Sequence, residues 1–573
     1  MRLTMRWLAL AATAAIAVAC GGDDDDNGGS NPPATPTGLT ATAAGAAIDL
    51  GWNAVTGATS YRLERADATA PGVFAQVGGA ITGTSYSDAA VVSDRVYSYR
   101  VAAVNTGGQS AFSSVVTASI AGARVRTINA DIRADQTWYA DTVYTLSGYI
   151  KVQPPAVLTI QPGTVIQGDP SVPGSSLWIR RGARIEANGT AAQPIVFTSA
   201  LAPGSRRPGD WGGIVIVGNG IINRTANPVL TEGGAAGVAE NYAGGTNNAD
   251  NSGTLRYVRI EFAGYDISNG AGQELNALSM YAVGSGTRVE YVQTLAGLDD
   301  SFEWWGGAVD GRYLISTETG DDHFDWTEGY RGRNQFLIAY QSTRLDAVPP
   351  GTPATDPRGI EADGCDTQGA PDCPSSLTSI NAPYSLPVFA NFALIGPRTL
   401  VPSFPTDGNG VVMRRGTGGM LDRGIVVGWP GRGLQGRDAF TDSLRLRDSL
   451  SITNMVLGEN AGGDYDAAGA DVTGSESSRR FFQATKFATS NHRTGGTVGS
   501  LFTATPSGTS IGDFRPPAGA LSSTIGTEVV PSRLAGRVAG FPYAGGWATT
   551  PYVGPAATGG TAWWETWTRY GTN

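Results

Sequence analysis

The sequence predicts an all-β protein in two parts, a small sandwich of short strands followed by a right-handed parallel β-helix with long loops. Three observations carry this. A nine-residue acidic pattern, Asp299-Asp300-Ser301-Phe302-Glu303-Trp304-Trp305-Gly306-Gly307, returns 22 residues later as Asp321-Asp322-His323-Phe324-Asp325-Trp326-Thr327-Glu328-Gly329. That period, amid short apolar runs broken by glycine, is what stacked coils leave in a sequence. The composition agrees: 80 glycines and 13 tryptophans in 573 residues, with Lys151 and Lys486 as the only lysines, describe a turn-rich β chain.

In chain order, Arg2 and Arg6 precede an apolar run from Trp7 to Val18 that is too short to span a bilayer, so residues 1–19 read as a secretory signal. Ala17-Val18-Ala19-Cys20 resembles a bacterial lipobox, which implies lipidation of Cys20 and membrane attachment through that lipid. Residues 20–32, with Asp23 to Asp26, form an acidic flexible tether. By resemblance to bacterial lipoprotein sorting, Gly21 and the Asp run imply the outer membrane and its outer surface.

Residues 33–120 carry alternating segments at sandwich spacing, Ala46 to Trp52, Ser60 to Ala66, Tyr97 to Val104 and Ser113 to Ile120. The expected core is Trp52, Tyr61, Leu63, Tyr86, Tyr97, Tyr99 and Val101. Pro36-Thr37-Gly38-Leu39, Leu50-Gly51-Trp52, Tyr61-Arg62-Leu63-Glu64-Arg65 and Tyr97-Ser98-Tyr99-Arg100-Val101 resemble a fibronectin type III domain, which implies a spacer.

Residues 124–573 are expected to form the β-helix. Ala156 to Ile166 and Leu177 to Thr190 each read as strand, glycine turn, strand, and Trp211 to Gly218 opens another coil. Further rungs are expected at Arg256 to Ala263, Val289 to Gly297, Arg312 to Gly320, Asn334 to Gln341, Phe389 to Ile395, Gly424 to Gly428 and Ser451 to Leu457. Tyr291 and Tyr313 share the 22-residue step of the Asp pairs. Long loops fall at Asn219 to Gly253, Ser342 to Pro387 and Asn460 to Gly540, the last with a short helix near Arg479 to Ala488. Trp547, Trp563, Trp564 and Trp567 read as a C-terminal cap.

Trp211-Gly212-Gly213-Ile214, Asn251 to Gly264, Gly284-Ser285-Gly286-Thr287, Asp299 to Trp304 and Gly359-Ile360-Glu361-Ala362-Asp363 resemble a family of bacterial surface lipoproteins that includes a leptospiral outer-membrane lipoprotein. The resemblance implies a location and an architecture. It also associates the chain with outer-membrane receptors as partners.

The acidic repeat is where chemistry is expected. If Phe302 and Phe324 face the core, Glu303 and Asp325 face outward and stack about 4.8 Å apart. Asp299, Asp300, Asp321 and Asp322 then cluster at the preceding turn, and Glu361 and Asp363 join from the following coil with Glu328 and Asp366 nearby. Oxygen ligands at this density suit Ca²⁺. The competing reading is a solvated ridge paired with Arg312, Arg331 or Arg333. Cys365 and Cys373 are expected to form a local disulfide in a secreted chain.

A net charge of −10 without a basic stripe excludes phosphate-led nucleic-acid binding. Many β-helices cleave acidic polysaccharides, but the Asn-Thr-Asp and Gly-His-Gly motifs of pectin-cleaving hydrolases are missing, and His323 and His492 do not assemble a triad. The functional expectation is a surface binding or adhesion module for a glycan or a receptor, with no assigned catalytic residue. A polysaccharide lyase or hydrolase is the alternative.

Overall fold

The computed structural model describes residues 31–571 except 46, 68–71, 92–94, 121–123, 234–237, 268–273, 344, 346–352, 355–356, 367–371, 375–378, 399–407, 466–490 and 526–533. Cys20, the signal, most of the tether and the helix expected near Arg479 lie outside these residues. The chain falls into two compact units, Met1–Gly122 and Ala123–Asn573.

The first unit contains two antiparallel sheets. Thr40–Ala44, Ala47–Gly51 and Ser85–Asp88 make one; Ser60–Asp67 and Val96–Asn105 lie at the centre of the other. Alternation along these strands sends Trp52, Tyr61, Leu63, Tyr97, Tyr99 and Val101 into one core, with Tyr86 packed against it. Buried Asp88 is satisfied by Arg65 at 2.9 Å and the Tyr99 hydroxyl at 3.0 Å.

The second unit is built almost wholly of parallel strands. Among the described residues nine of them, from Tyr149–Val152 to Leu434–Gly436, stack in sequence order in one sheet, and a larger sheet of 16 strands runs alongside. The 22-residue step is the coil itself: Arg288 pairs with Asp310, and Phe302 with Phe324. Each coil turns an apolar row inward, and the rows merge into one core that includes Phe302, Trp304, Phe324 and Trp326.

The long strands of the larger sheet bend in the middle. Tyr257, Tyr291, Tyr313, Phe336 and Asn391 all adopt left-handed backbone, φ 49° to 64°, at equivalent positions. The conformation costs about 1 kcal/mol per non-glycine residue. The rings recover part of it by stacking, with centroids 4.3, 4.5 and 5.1 Å apart from Tyr257 through Phe336.

The tryptophan-rich end, expected from sequence to cap the stack, instead runs as a strap along the side of the coils. Trp567 sits edge-on to Tyr257 and Tyr291, and Trp563 packs on Tyr313. Side-chain amides fasten it: Gln335 bonds both the N–H and the carbonyl of Ala548, and Gln293 does the same with Arg569. The reason is compositional. The outer face of the larger sheet carries Ile315, Ile338, Ile395 and Val427, which need an apolar cover as much as the coil ends do.

One helix, Ala439–Leu446, was not legible as a rung or a loop; Asp438 caps it by accepting from the Thr441 N–H.

Candidate metal centre

The strands Leu278–Tyr281, Phe302–Trp305, Phe324–Thr327, Ile360–Asp363 and Val411–Arg414 lie side by side. Phe302, Trp304, Phe324, Trp326, Ile360 and Ala362 take the inward positions. The outward positions therefore align as Ser279, Glu303, Asp325 and Glu361 in one column. Beside it runs a second column with Tyr281, Trp305 and Thr327, and Asp363 is paired with Arg414.

The turn before these strands separates the two members of each Asp pair. Asp300 donates its N–H to Asn276 Oδ1 at 3.2 Å, Asp322 to Asp300 Oδ1 at 2.8 Å, and Arg358 to Asp322 Oδ1 at 2.6 Å. The second Asp of each pair thus links its coil to the next. It fixes the turn so that the first, Asp299 or Asp321, borders the cleft.

All eight residues expected to ligate metal, Asp299, Asp300, Glu303, Asp321, Asp322, Asp325, Glu361 and Asp363, line one cleft of about 190 Å³. Glu232, Glu274 and Asp366 join them, as do Asn276, Trp305, Thr327, Arg414 and Arg415. Glu328 lies behind this wall, fully buried, bonded to the Tyr242 hydroxyl at 2.8 Å and to Arg224 at 2.9 Å. Burial pushes its carboxyl up to about 7. The expected Cys365–Cys373 disulfide is present, and its loop holds Asp366 against Arg224 at 3.5 Å.

The cleft is electrostatically two-sided. On one side Arg414 bonds Glu361 and lies 2.8 Å from Asp363; Arg415 lies 2.6 Å from Asp363, and Arg358 pairs with Glu361 and, at 3.2 Å, with Asp322. Burial alone would raise the Glu361 carboxyl, but these arginines outweigh it and hold it below the usual range. On the other side Glu232, Asp299, Asp300, Glu303 and Asp325 form no ion pair among the described residues. Burial first, and repulsion from neighbouring carboxylates second, push all five carboxyls well above their usual range. Two of the three arginines named from sequence as neutralising partners serve elsewhere: Arg333 pairs with Asp310 at 2.5 Å, and Arg312 bonds the Ala544 carbonyl of the strap.

Carboxylate oxygens of Asp299, Asp300 and Asp321 lie within 4.8 Å of one another, as do those of Asp300, Glu303 and Asp325. Asp325 Oδ1 and the Thr327 hydroxyl are buried without a hydrogen-bond partner among the described residues. An all-oxygen donor set with unsatisfied buried acceptors fits a hard divalent cation and does not fit a thiolate- or imidazole-preferring metal.

Sequence reasoning missed Glu232 and Glu274, which come from long loops without a register, and Arg358, Arg414 and Arg415. Asn276 carried a usable signal, since it lies 24 residues before Asp300, close to the coil length. His323 is no surface group: it is fully buried, its Nδ1 2.5 Å from Ser316 Oγ, and burial lowers it to about 3. Trp304 and Trp326 belong to the core; Trp305 joins a separate cluster with Tyr242 and Tyr281.

No curated protein matches the chain. Among solved structures, an Fn3-like protein from Clostridium thermocellum is 36% identical over 15% of this chain and 92% of its own, with a TM-score of 0.14. Chicken CNTN1 FN1–FN3 domains are 19% identical over 19% of this chain and 39% of theirs, TM-score 0.15. Pectate lyase PelI from Erwinia chrysanthemi is 11% identical over 70% of this chain and 85% of its own, TM-score 0.17. A family model described as a pectate-lyase like beta helix domain matches residues 130–503, the greater part of the sequence, and the chain belongs to that family.

Proposed function

We propose that the protein is a lipid-anchored surface protein of the outer membrane, held by Cys20, whose β-helix is a calcium-dependent binding module for a glycan or a receptor. The observation that carries this is the half of the cleft in which five carboxylates converge and form no ion pair among the described residues. Bound calcium offsets their repulsion and leaves open coordination positions for an anionic or hydroxyl-rich partner. The first unit acts as a fibronectin-type spacer between the membrane and the module. Its two antiparallel sheets around Trp52 and Tyr99 support that reading.

Membership of a pectate-lyase-like family favours one other reading, a calcium-dependent polysaccharide lyase. Such a reaction needs a group to take the proton beside the uronate carboxyl. Among the described residues the cleft offers no lysine, and the arginines lining it are engaged: Asp363 and Glu361 more than offset the effect of burial and keep Arg414 firmly cationic. Binding without cleavage is the better account. Incubating the purified protein and calcium with acidic and neutral glycans tests it: retention without new products supports binding, and unsaturated or newly reducing ends overturn it.

A further inference from the structure

The cleft contains two ligand triads rather than one, and they share a residue. Asp299, Asp300 and Asp321 form the first; Asp300, Glu303 and Asp325 form the second. Asp300 Oδ1 already accepts the Asp322 N–H at 2.8 Å, so Oδ2 is the oxygen it has to share. An observation outside the carboxylates points the same way. The Thr327 hydroxyl, on a residue 3% exposed, borders this cleft with no hydrogen-bond partner among the described residues. A buried hydroxyl so placed costs about 1–3 kcal/mol unless something takes its lone pair. It stands two residues beyond Asp325 on the same outward face, where it can complete the second triad.

Charge sets the number of ions. One divalent cation offsets two of the five carboxylates that make up the two triads, whereas two offset four and leave a residue of charge like that of an ordinary calcium site. Across the cleft the same compensation is made by protein, with Arg358, Arg414 and Arg415 set against Asp322, Glu361 and Asp363.

We infer that the cleft binds two calcium ions bridged by the Asp300 carboxylate, one held with Asp299 and Asp321, the other with Glu303, Asp325 and Thr327. Magnesium is disfavoured because it demands near-octahedral geometry and keeps its waters. This rests on the calcium-dependent reading of the cleft.

The test is calcium titration of the full chain, freed of metal, by calorimetry, with metal content read independently by elemental analysis. Two ions per chain are expected in the wild type and one in Asp321→Asn and in Asp325→Asn. None is expected in Asp300→Asn, whose side-chain oxygen still accepts the Asp322 N–H, so the turn is kept; circular dichroism checks the fold. No binding by the wild type sinks the calcium reading itself. One ion in the wild type, abolished equally by Asp321→Asn and Asp325→Asn, leaves that reading standing and overturns the pair. Two ions that both survive Asp300→Asn overturn the bridge.

Discussion

Replacing Asp325 by asparagine should make the metal-free protein more stable while weakening its response to calcium. Asp325 stands between Glu303 and Glu361 in a column of parallel strands, and only Glu361 has arginines against it. At one strand spacing of about 4.8 Å and an effective dielectric of 20, the Glu303–Asp325 repulsion is about 3 kcal/mol. Asparagine keeps the shape and removes that term. With an unfolding entropy of about 2.1 cal/mol/K per residue over a unit of roughly 450 residues, 3 kcal/mol corresponds to a rise of about 3 °C. Calcium at a hundredfold excess over its dissociation constant adds about 2.7 kcal/mol per ion bound to the native state alone. Scanning calorimetry of both proteins in chelator and in calcium reads both effects. A lower melting temperature for metal-free Asp325→Asn, with the calcium increment intact, would refute the electrostatic account of the cleft.

Other outcomes follow from parts of the fold away from that column. Cys365 and Cys373 close a loop of eight residues' separation, so replacing both by alanine should cost about 2.5 kcal/mol in a denaturant melt and loosen Asp366 from the cleft. His492 is pushed down to about 4 by burial, from 6.5 when unfolded. It is neutral in the folded chain, so its contribution is present above pH 6.5 and lost as pH falls from there toward 4. Near pH 5 the loss is about 1–2 kcal/mol, and His492→Asn should flatten the melting-temperature profile over this range. Trp567→Ala removes a fully buried ring from the strap; a loss of about 3–5 kcal/mol and new proteolytic cuts within residues 534–571 are expected.

Much of this molecule was legible because a coil repeats physics as well as residues. The 22-residue step set Phe302 over Phe324 and Glu303 over Asp325, and strand alternation then assigned which pair faces away from the core. The disulfide followed from two cysteines in one loop. What escaped was whatever breaks the period. Glu232 and Glu274 reach the cleft from loops, where no neighbour announces their direction. Val411–Arg414 and Leu434–Gly436 are short strands, buried almost throughout, so the alternation that marks a half-buried strand is lost. Arg414 and Arg415 belong to that coil, which is why the arginines were sought at Arg312, Arg331 and Arg333 instead. The strap was mistaken for a cap because Gln293 and Gln335 hold it through single amides, which impose no spacing on the chain.

The strap also bears on how such a chain is made. Residues 534–571 leave the ribosome after every coil they cover, and their contacts span up to 308 positions, as between Trp567 and Arg259. Coils can add to the growing stack one by one, since each needs only its predecessor. The ring column from Tyr257 to Phe336 stays wet until the final segment arrives. An unfinished or nicked chain therefore displays a stripe of aromatic rings that the finished one hides, a difference that chaperones and proteases can read as incompleteness.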